Sequence, residues 1–107
     1  MSIHLDLEWS KKLKKEGIEG KHAYCHFEDA DEVSFIARSW NALPNMVKCP
    51  AYTLEELLDM VKGEFLLRKR NLLYEIRFIY KGRYKIASNA DPKIAVAEAL
   101  LWQSEVF

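Results

Sequence analysis

The segment 74–86, which reads YEIRFIYKGRYKI, constrains the fold of this chain more than any other. Its first half alternates aromatic or β-branched residues with charged ones, which is the two-residue period of a strand with one buried face. Lys81 and Gly82 then supply a two-residue turn, and Tyr84 and Ile86 continue the apolar pattern on the way back. The segment therefore predicts an antiparallel hairpin whose buried face includes Tyr84 and Ile86.

The segment CPAYTLEELLDMV at 49–61 has the signature of a helix start. The Thr53 side chain can accept a hydrogen bond from the backbone of Glu56, and Glu56 can return one, which is the reciprocal capping box. Leucines at helical spacing follow, and Gly63 is expected to end the helix. Every residue here has a structural task, so the segment predicts architecture and no chemistry.

Two further helices are predicted near the ends of the chain. Trp9 and Leu13 lie at helical spacing in a lysine-rich stretch, and Gly17 stands where a left-handed C-cap is needed. Towards the other end, Asp91 and Pro92 fit an N-cap and a first helical residue. The helix that follows is apolar on nearly all sides, so it lies inside the domain or is shared with a second subunit.

Residues 21–40 fit two structures. Four apolar residues have helical spacing, whereas the β-rich runs HAYCHF and VSFIAR flank the polar EDADE as in a hairpin. We favour the hairpin. The sequence then predicts an α+β fold, with a small antiparallel sheet of about three to four strands in two hairpins and three helices packed mainly on one face.

Length and charge narrow the classes of protein to which the chain can belong. The 107 residues fit a single domain spanning 1–107. Sixteen basic residues balance sixteen acidic ones, which argues against bulk attraction to nucleic acid or to a membrane. The first residues lack the basic-then-apolar order of a signal peptide, so we expect a cytoplasmic protein with reduced thiols.

His22, Cys25 and His26 are the sharpest candidates for chemistry, because all three are zinc ligand types. If 22–27 is a strand, however, the two histidines face one side of it and Cys25 the other. The alternative is then a buried thiol beside two exposed or edge histidines. A metal site or a small Cys/His enzyme is a distant alternative, and we assign no catalytic residue and no cofactor. Nothing in the sequence pairs Cys49 with a histidine.

Basic residues are concentrated around the predicted hairpin, with aromatic residues between them. Such a surface can stack on nucleic acid and neutralise it. Alternation places most of the aromatics on the buried face, so the basic residues also fit the solvated back of a sheet. The candidate nucleic-acid contacts are Arg68, Lys69, Arg70, Arg77, Lys81, Arg83 and Lys85.

Four segments occur in a characteristic order: LKKEGI at 13–18, CPAYTLEELLDMV at 49–61, YEIRFIYKGRYKI at 74–86 and ADPKIAVAEALLWQ at 90–103. In this layout the chain resembles a family of short, uncharacterised proteins encoded by bacteriophages and prophages. The resemblance implies a phage or mobile-element origin in a bacterium. It brings no known activity, ligand or catalytic residue.

We therefore expect a non-enzymatic accessory protein in the cytoplasm of a bacterial host, with a protein partner, a homodimeric state or both, and no membrane contact. Leu100, Leu101 and Trp102 are the predicted interface, because a small domain has little room to cover a helix that is apolar on most sides. Nucleic-acid binding through 68–85 is the alternative.

Overall fold

The structure is a computed structural model that describes residues 3–105. Within them the elements follow the order α1 (Leu7–Lys15), β1 (Tyr24–Glu28), β2 (Ser34–Arg38), β3 (Val47–Pro50), α2 (Leu54–Met60), β4 (Glu64–Arg70), β5 (Leu73–Tyr80), β6 (Arg83–Asn89) and α3 (Pro92–Glu105). The strands form two three-stranded antiparallel sheets, ordered β2-β1-β3 and β4-β5-β6. The predicted α+β class is confirmed, but the single predicted sheet is replaced by two.

Helix α1 ends as its sequence predicts. Gly17 adopts the left-handed conformation with φ 72°. The backbone N–H of Ile18 donates to the carbonyl of Leu13 at 3.0 Å, and that of Gly17 donates to Lys14 at 3.0 Å. These two bonds define the Schellman motif, which satisfies carbonyls that the end of a helix leaves open.

Helix α2 begins as predicted but ends earlier. The N–H of Glu56 donates to the Thr53 hydroxyl at 3.3 Å, and the N–H of Thr53 donates to the Glu56 carboxylate at 2.9 Å. The last helical residue is Met60, so Gly63 does not end the helix. Gly63 has φ 79°, and a β-carbon there would collide with the carbonyl oxygen of Ile79. Glycine is therefore required where the chain enters β4.

The smaller sheet, β2-β1-β3, contains the hairpin predicted over 21–40. Tyr24 lies opposite Arg38 and Glu28 opposite Ser34. The prediction did not include β3, which pairs along the other side of β1 and places Cys49 opposite His26. Residues 47–50 become a strand because β1 offers them a partner, and their own sequence has no clear alternation.

The larger sheet, β4-β5-β6, contains the hairpin predicted over 74–86, but one strand faces the other way. The two-residue turn sets Tyr80 opposite Arg83. Even-numbered residues of β5 therefore share a face with odd-numbered residues of β6. Tyr84 and Ile86 accordingly lie on the outer face, away from α3, and the prediction that they continue the buried face was wrong.

Helix α3 covers the inner face of the larger sheet by packing against β5 and β6. Helix α2 packs on α3, and α1 lies between α3 and β3 of the smaller sheet. A packing of all three helices mainly on one face is not confirmed. No helix within residues 3–105 has the length and apolar character needed to cross a bilayer. Among the described residues, one buried hydrophobic cluster contains Leu5, Leu13, Tyr52, Leu57, Ile76, Phe78, Ala87, Ala95, Val96, Ala97, Ala99 and Leu100.

Candidate functional site

A cavity of about 300 Å³ lies beside α1 and is lined by ammonium, imidazole, thiol and phenol groups. Its polar side chains are engaged within the chain. Lys14 Nζ donates to the carbonyl of Lys48 at 2.6 Å, and the Cys25 thiol donates to a serine hydroxyl at 3.4 Å. His22 Nδ1 and the Tyr52 hydroxyl both bond to the backbone of Gly20, at 2.8 and 3.2 Å. These bonds hold the loop between α1 and β1 in place.

The three candidate metal ligands are divided, although not in the way that alternation predicted. Strand β1 begins only at Tyr24, so His22 lies before it and lines the same cavity as Cys25. The expectation that these two residues face opposite sides was wrong for that reason. His26 lies on the other face of β1 from Cys25, and its Nε2 donates to the carbonyl of Leu5 at 2.7 Å. Within residues 3–105 no group of three or more His, Cys, Asp or Glu residues could hold a metal ion.

Strand pairing sets Cys49 opposite His26, a juxtaposition that the sequence did not reveal. They lie directly opposite each other on β3 and β1. Cys49 is only 1% exposed, and burial raises the pKa of its thiol, although nearby Lys14 opposes this. A nucleophilic cysteine needs exposure and a lowered pKa. This pair is therefore suited to packing and not to covalent catalysis.

A buried polar cluster lies where α3 begins, and no pattern in the sequence indicated it. Lys93 is 4% exposed, and its ammonium pairs with the Asp91 carboxylate at 3.0 Å. The ring of His4 packs 5.0 Å from that of Tyr24. Burial lowers the pKa of His4, the charge of Lys93 lowers it further, and Glu56 opposes both. The cluster therefore combines a buried ion pair with an imidazole whose neutral form is favoured.

The seven basic residues of 68–85 do not form one surface. Arg68, Arg70 and Arg77 lie on the outer face of the larger sheet, Lys69, Arg83 and Lys85 have the opposite parity, and Lys81 is in the turn. On the outer face, Glu75 lies between two of the arginines, with N–O distances of 3.4 Å to Arg68 and 3.2 Å to Arg77. Burial raises the pKa of Glu75, but the two guanidinium groups outweigh it and hold the pKa below its usual value. Part of the positive charge is therefore already compensated.

The same outer face carries a group of large apolar side chains, which we call the outer patch: Leu66, Ile79, Tyr84 and Ile86. Each is between 42% and 57% exposed. Arg77 lies at the middle of the patch, because it is opposite Leu66 on one side and Ile86 on the other. The sequence did not reveal the patch, because apolar residues of an alternating strand were expected to face the core.

The predicted interface on α3 packs largely within the chain. Leu100 belongs to the buried core, and Leu101 and Trp102 are half-buried against it. The Trp102 ring meets the edge of Phe78 at a centroid distance of 5.4 Å. A subunit interface at these three residues stays a prediction.

The comparisons with known proteins identify no relative. No family model matches the chain, and neither a curated protein nor a solved structure is significantly similar to it. The functional argument therefore depends on the geometry described above.

Proposed function

We propose that this chain is a non-enzymatic protein-binding module, encoded by a phage or prophage and acting in the cytoplasm of a bacterial host. The outer patch carries the proposal, because it joins several apolar side chains on a sheet that supports them. The phage origin rests on the four segments that give the chain its family resemblance. The thiols and imidazoles are hydrogen-bonded or buried inside the chain, which favours binding over catalysis.

The composition of the outer patch indicates the chemistry of the partner. Interface centres are enriched in aromatic residues and arginine, and depleted of lysine and acidic residues. Tyr84 and Arg77 fit that composition, and Arg68 and Arg70 lie on the same face towards one end. The complementary surface would be an apolar patch flanked by carboxylates. The partner is therefore a folded protein with such a surface.

The experiment is affinity capture from the lysate of a host that carries the phage, with and without nuclease. Ile79→Glu places a carboxylate in the outer patch, and Leu72→Glu makes the same change at an exposed residue in the turn between β4 and β5. We expect a nuclease-resistant partner to be captured by the wild type and by Leu72→Glu, and at least about tenfold less by Ile79→Glu, because a buried apolar contact is lost and a charge is desolvated. Equal capture by both variants would contradict the assignment of the patch.

Nucleic-acid binding is the second candidate, favoured by one observation: the exposed Tyr84 ring lies diagonal to Arg77 on an uncovered sheet face. An aromatic ring beside a guanidinium can stack a base and neutralise a phosphate. In that case Arg77→Ala would weaken binding and flatten its dependence on salt, whereas Arg83→Ala, on the opposite face of the sheet, should have a smaller effect. Loss of capture after nuclease treatment would favour this candidate over a protein partner.

A further inference from the structure

Three of the four edge strands carry features that oppose pairing with another strand. Charged side chains protect a sheet edge, and β4 and β6 together carry five basic residues. On β3, Pro50 lacks an N–H, and the outward carbonyl of Lys48 already accepts a hydrogen bond from Lys14. Strand β2 is the fourth edge.

The hydrogen bonds between β2 and β1 show which backbone groups of β2 face outward. The N–H of Asp29 donates to Val33 at 3.1 Å, and the N–H of Ser39 donates to Ala23 at 3.0 Å. Because bonded pairs alternate in an antiparallel ladder, the odd-numbered residues of β2 bond to β1. The N–H and C=O groups of the even-numbered residues, 34, 36 and 38, therefore point away from the sheet. Within the described part of the chain, those of 34 and 36 have no hydrogen bond.

The side chains along β2 make this edge apolar on both faces. Phe35 is 45% exposed on one face and Ile36 is 39% exposed on the other. Trp40, which is 79% exposed, follows the strand. The only charged residue of β2 is Arg38 at its end. An apolar edge without a charge at its centre is a template for another strand.

We propose that β2 pairs with β2 of a second copy of this chain, antiparallel about a two-fold axis through Ile36. The β2-β1-β3 sheets of the two copies then become one continuous six-stranded sheet. The proposal is independent of the proposed function, because the outer patch belongs to the larger sheet and shares no residue with β2.

A second copy fits better than an unrelated strand because β2 is complementary to itself. Its outward groups, at 34, 36 and 38, are symmetric about Ile36, so a two-fold axis there aligns every outward donor with an outward acceptor. The central Ile36 pair can exchange two hydrogen bonds. In each outer pair the Arg38 carbonyl already accepts from the N–H of Asn41 at 3.1 Å and would accept a second bond through its other lone pair. The large Phe35 lies opposite the partner's Ala37, and Arg38 lies opposite the partner's Ser34, so no like charges meet.

Charge complementarity supports the same pairing. The loop between β1 and β2 carries Asp29, Asp31 and Glu32. Antiparallel pairing brings Arg38 of each copy to the end of β2 where the acidic loop of the other copy begins. Trp40 of each copy extends towards the same loop, which enlarges the contact beyond the paired strands.

The first test is the mass in solution by light scattering over a range of concentrations. We expect the wild type to form a dimer and Ile36→Glu to weaken it by at least about tenfold, because two carboxylates would face each other at the axis. Ile79→Glu is the matched control and should leave the dimer intact while it lowers partner capture by at least about tenfold. A wild type that stays monomeric at high micromolar concentration would overturn the proposal. So would a dimer that survives Ile36→Glu.

A cysteine cross-link tests the register without disturbing the edge. In the proposed pair the two Ile36 Cα atoms lie about 5.5 Å apart, which suits a disulfide. Two copies of Ser34 lie four residues apart along the strand, or roughly 13 Å, which does not. Mild oxidation should therefore link Ile36→Cys into a covalent dimer and leave Ser34→Cys monomeric, and both native thiols are 1% exposed. Equal cross-linking of both variants would refute pairing between copies. So would cross-linking of Ile36→Cys to a different protein instead of to a second copy.

Discussion

The ion pair at the start of α3 should be one of the most sensitive points in the fold, and Asp91→Ala is its sharpest perturbation. Breaking a buried pair from one side costs about 3–5 kcal/mol, because the remaining charge is left without compensation. The Lys93 side chain is 5% exposed but that of Asp91 is 25% exposed, so water can solvate part of the site. We therefore expect the unpaired Lys93 ammonium to lower the free energy of unfolding by about 2 kcal/mol.

Asp91 also caps α3. Its carboxylate accepts a hydrogen bond from the backbone N–H of Lys93 at 3.0 Å. Losing an N-cap costs about 1 kcal/mol, so Asp91→Ala should lower the free energy of unfolding by roughly 3 kcal/mol in total. Lys93→Met keeps the apolar stem of the side chain and removes the charge, so it should be neutral or slightly stabilising. In that background Asp91→Ala should cost only the cap, about 1 kcal/mol.

The assay is urea unfolding of the wild type, both single variants and the double variant, followed by tryptophan fluorescence. Trp102 packs on Phe78 in the core, so its emission reports loss of tertiary packing. Glu8→Ala is the control. It removes an exposed pair with Lys12 at 3.9 Å and should change stability by less than about 0.5 kcal/mol. If Asp91→Ala costs the same with and without Lys93, the lysine charge is not buried against Asp91 and the argument fails.

Three smaller effects are expected. In thermal melts Gly63→Ala should destabilise the protein by about 3 kcal/mol and Gly82→Ala by about 1 kcal/mol. Both glycines have positive φ, but only Gly63 lies against the carbonyl of Ile79. Equal losses of stability would contradict this reasoning. Because the pKa of His4 is lowered in the folded state, the unfolded chain binds a proton more readily, and the free energy of unfolding should fall as the pH drops below 6.5. His4→Gln should make the free energy of unfolding less dependent on pH in denaturation measured across that range. A thiol reagent should modify Cys49 far more slowly in the native protein than in urea, because burial raises the pKa of the thiol; similar rates would show that the site is open.

Local signals in the sequence predicted the start of α2 and the end of α1, although Gly63 was wrongly expected to end α2. The capping box joins Thr53 to Glu56, and the Schellman motif joins Leu13 to Ile18. In each case the hydrogen-bonding partners lie within one or two turns of chain. Their geometry therefore depends on neighbouring residues, which a single sequence contains in full.

Strands that depend on distant partners were harder to predict. Residues 64–70 read EFLLRKR, without alternation, and become β4 because β5 pairs with them across a two-residue turn. The faces of Tyr84 and Ile86 were recoverable, since a two-residue turn fixes the parity of the returning strand. Their apolar character pointed the other way. The error came from assuming that an apolar strand residue faces the core.

The candidate chemistry was limited by the same non-local pairing. His26 and Cys49 meet because β1 and β3 pair, and no spacing rule links them. Lys93 looks like a solvated residue of a first helical turn, yet packing around α3 buries it. Burial of a charged group depends on what covers it, and that information lies in the assembled fold.

The four sheet edges differ in how they are protected against pairing with another strand. All four edges belong to the described part of one chain. Three of them carry charge, proline or a side-chain cap, which are the means by which an exposed edge resists pairing. Strand β2 carries apolar residues on both faces, and the outward backbone groups of Ser34 and Ile36 have no hydrogen bond within residues 3–105. An unprotected edge of this kind favours aggregation unless a partner covers it. Ordered pairing with a second copy satisfies those backbone groups and closes the edge, and it leaves the outer patch of the other sheet free for a different protein.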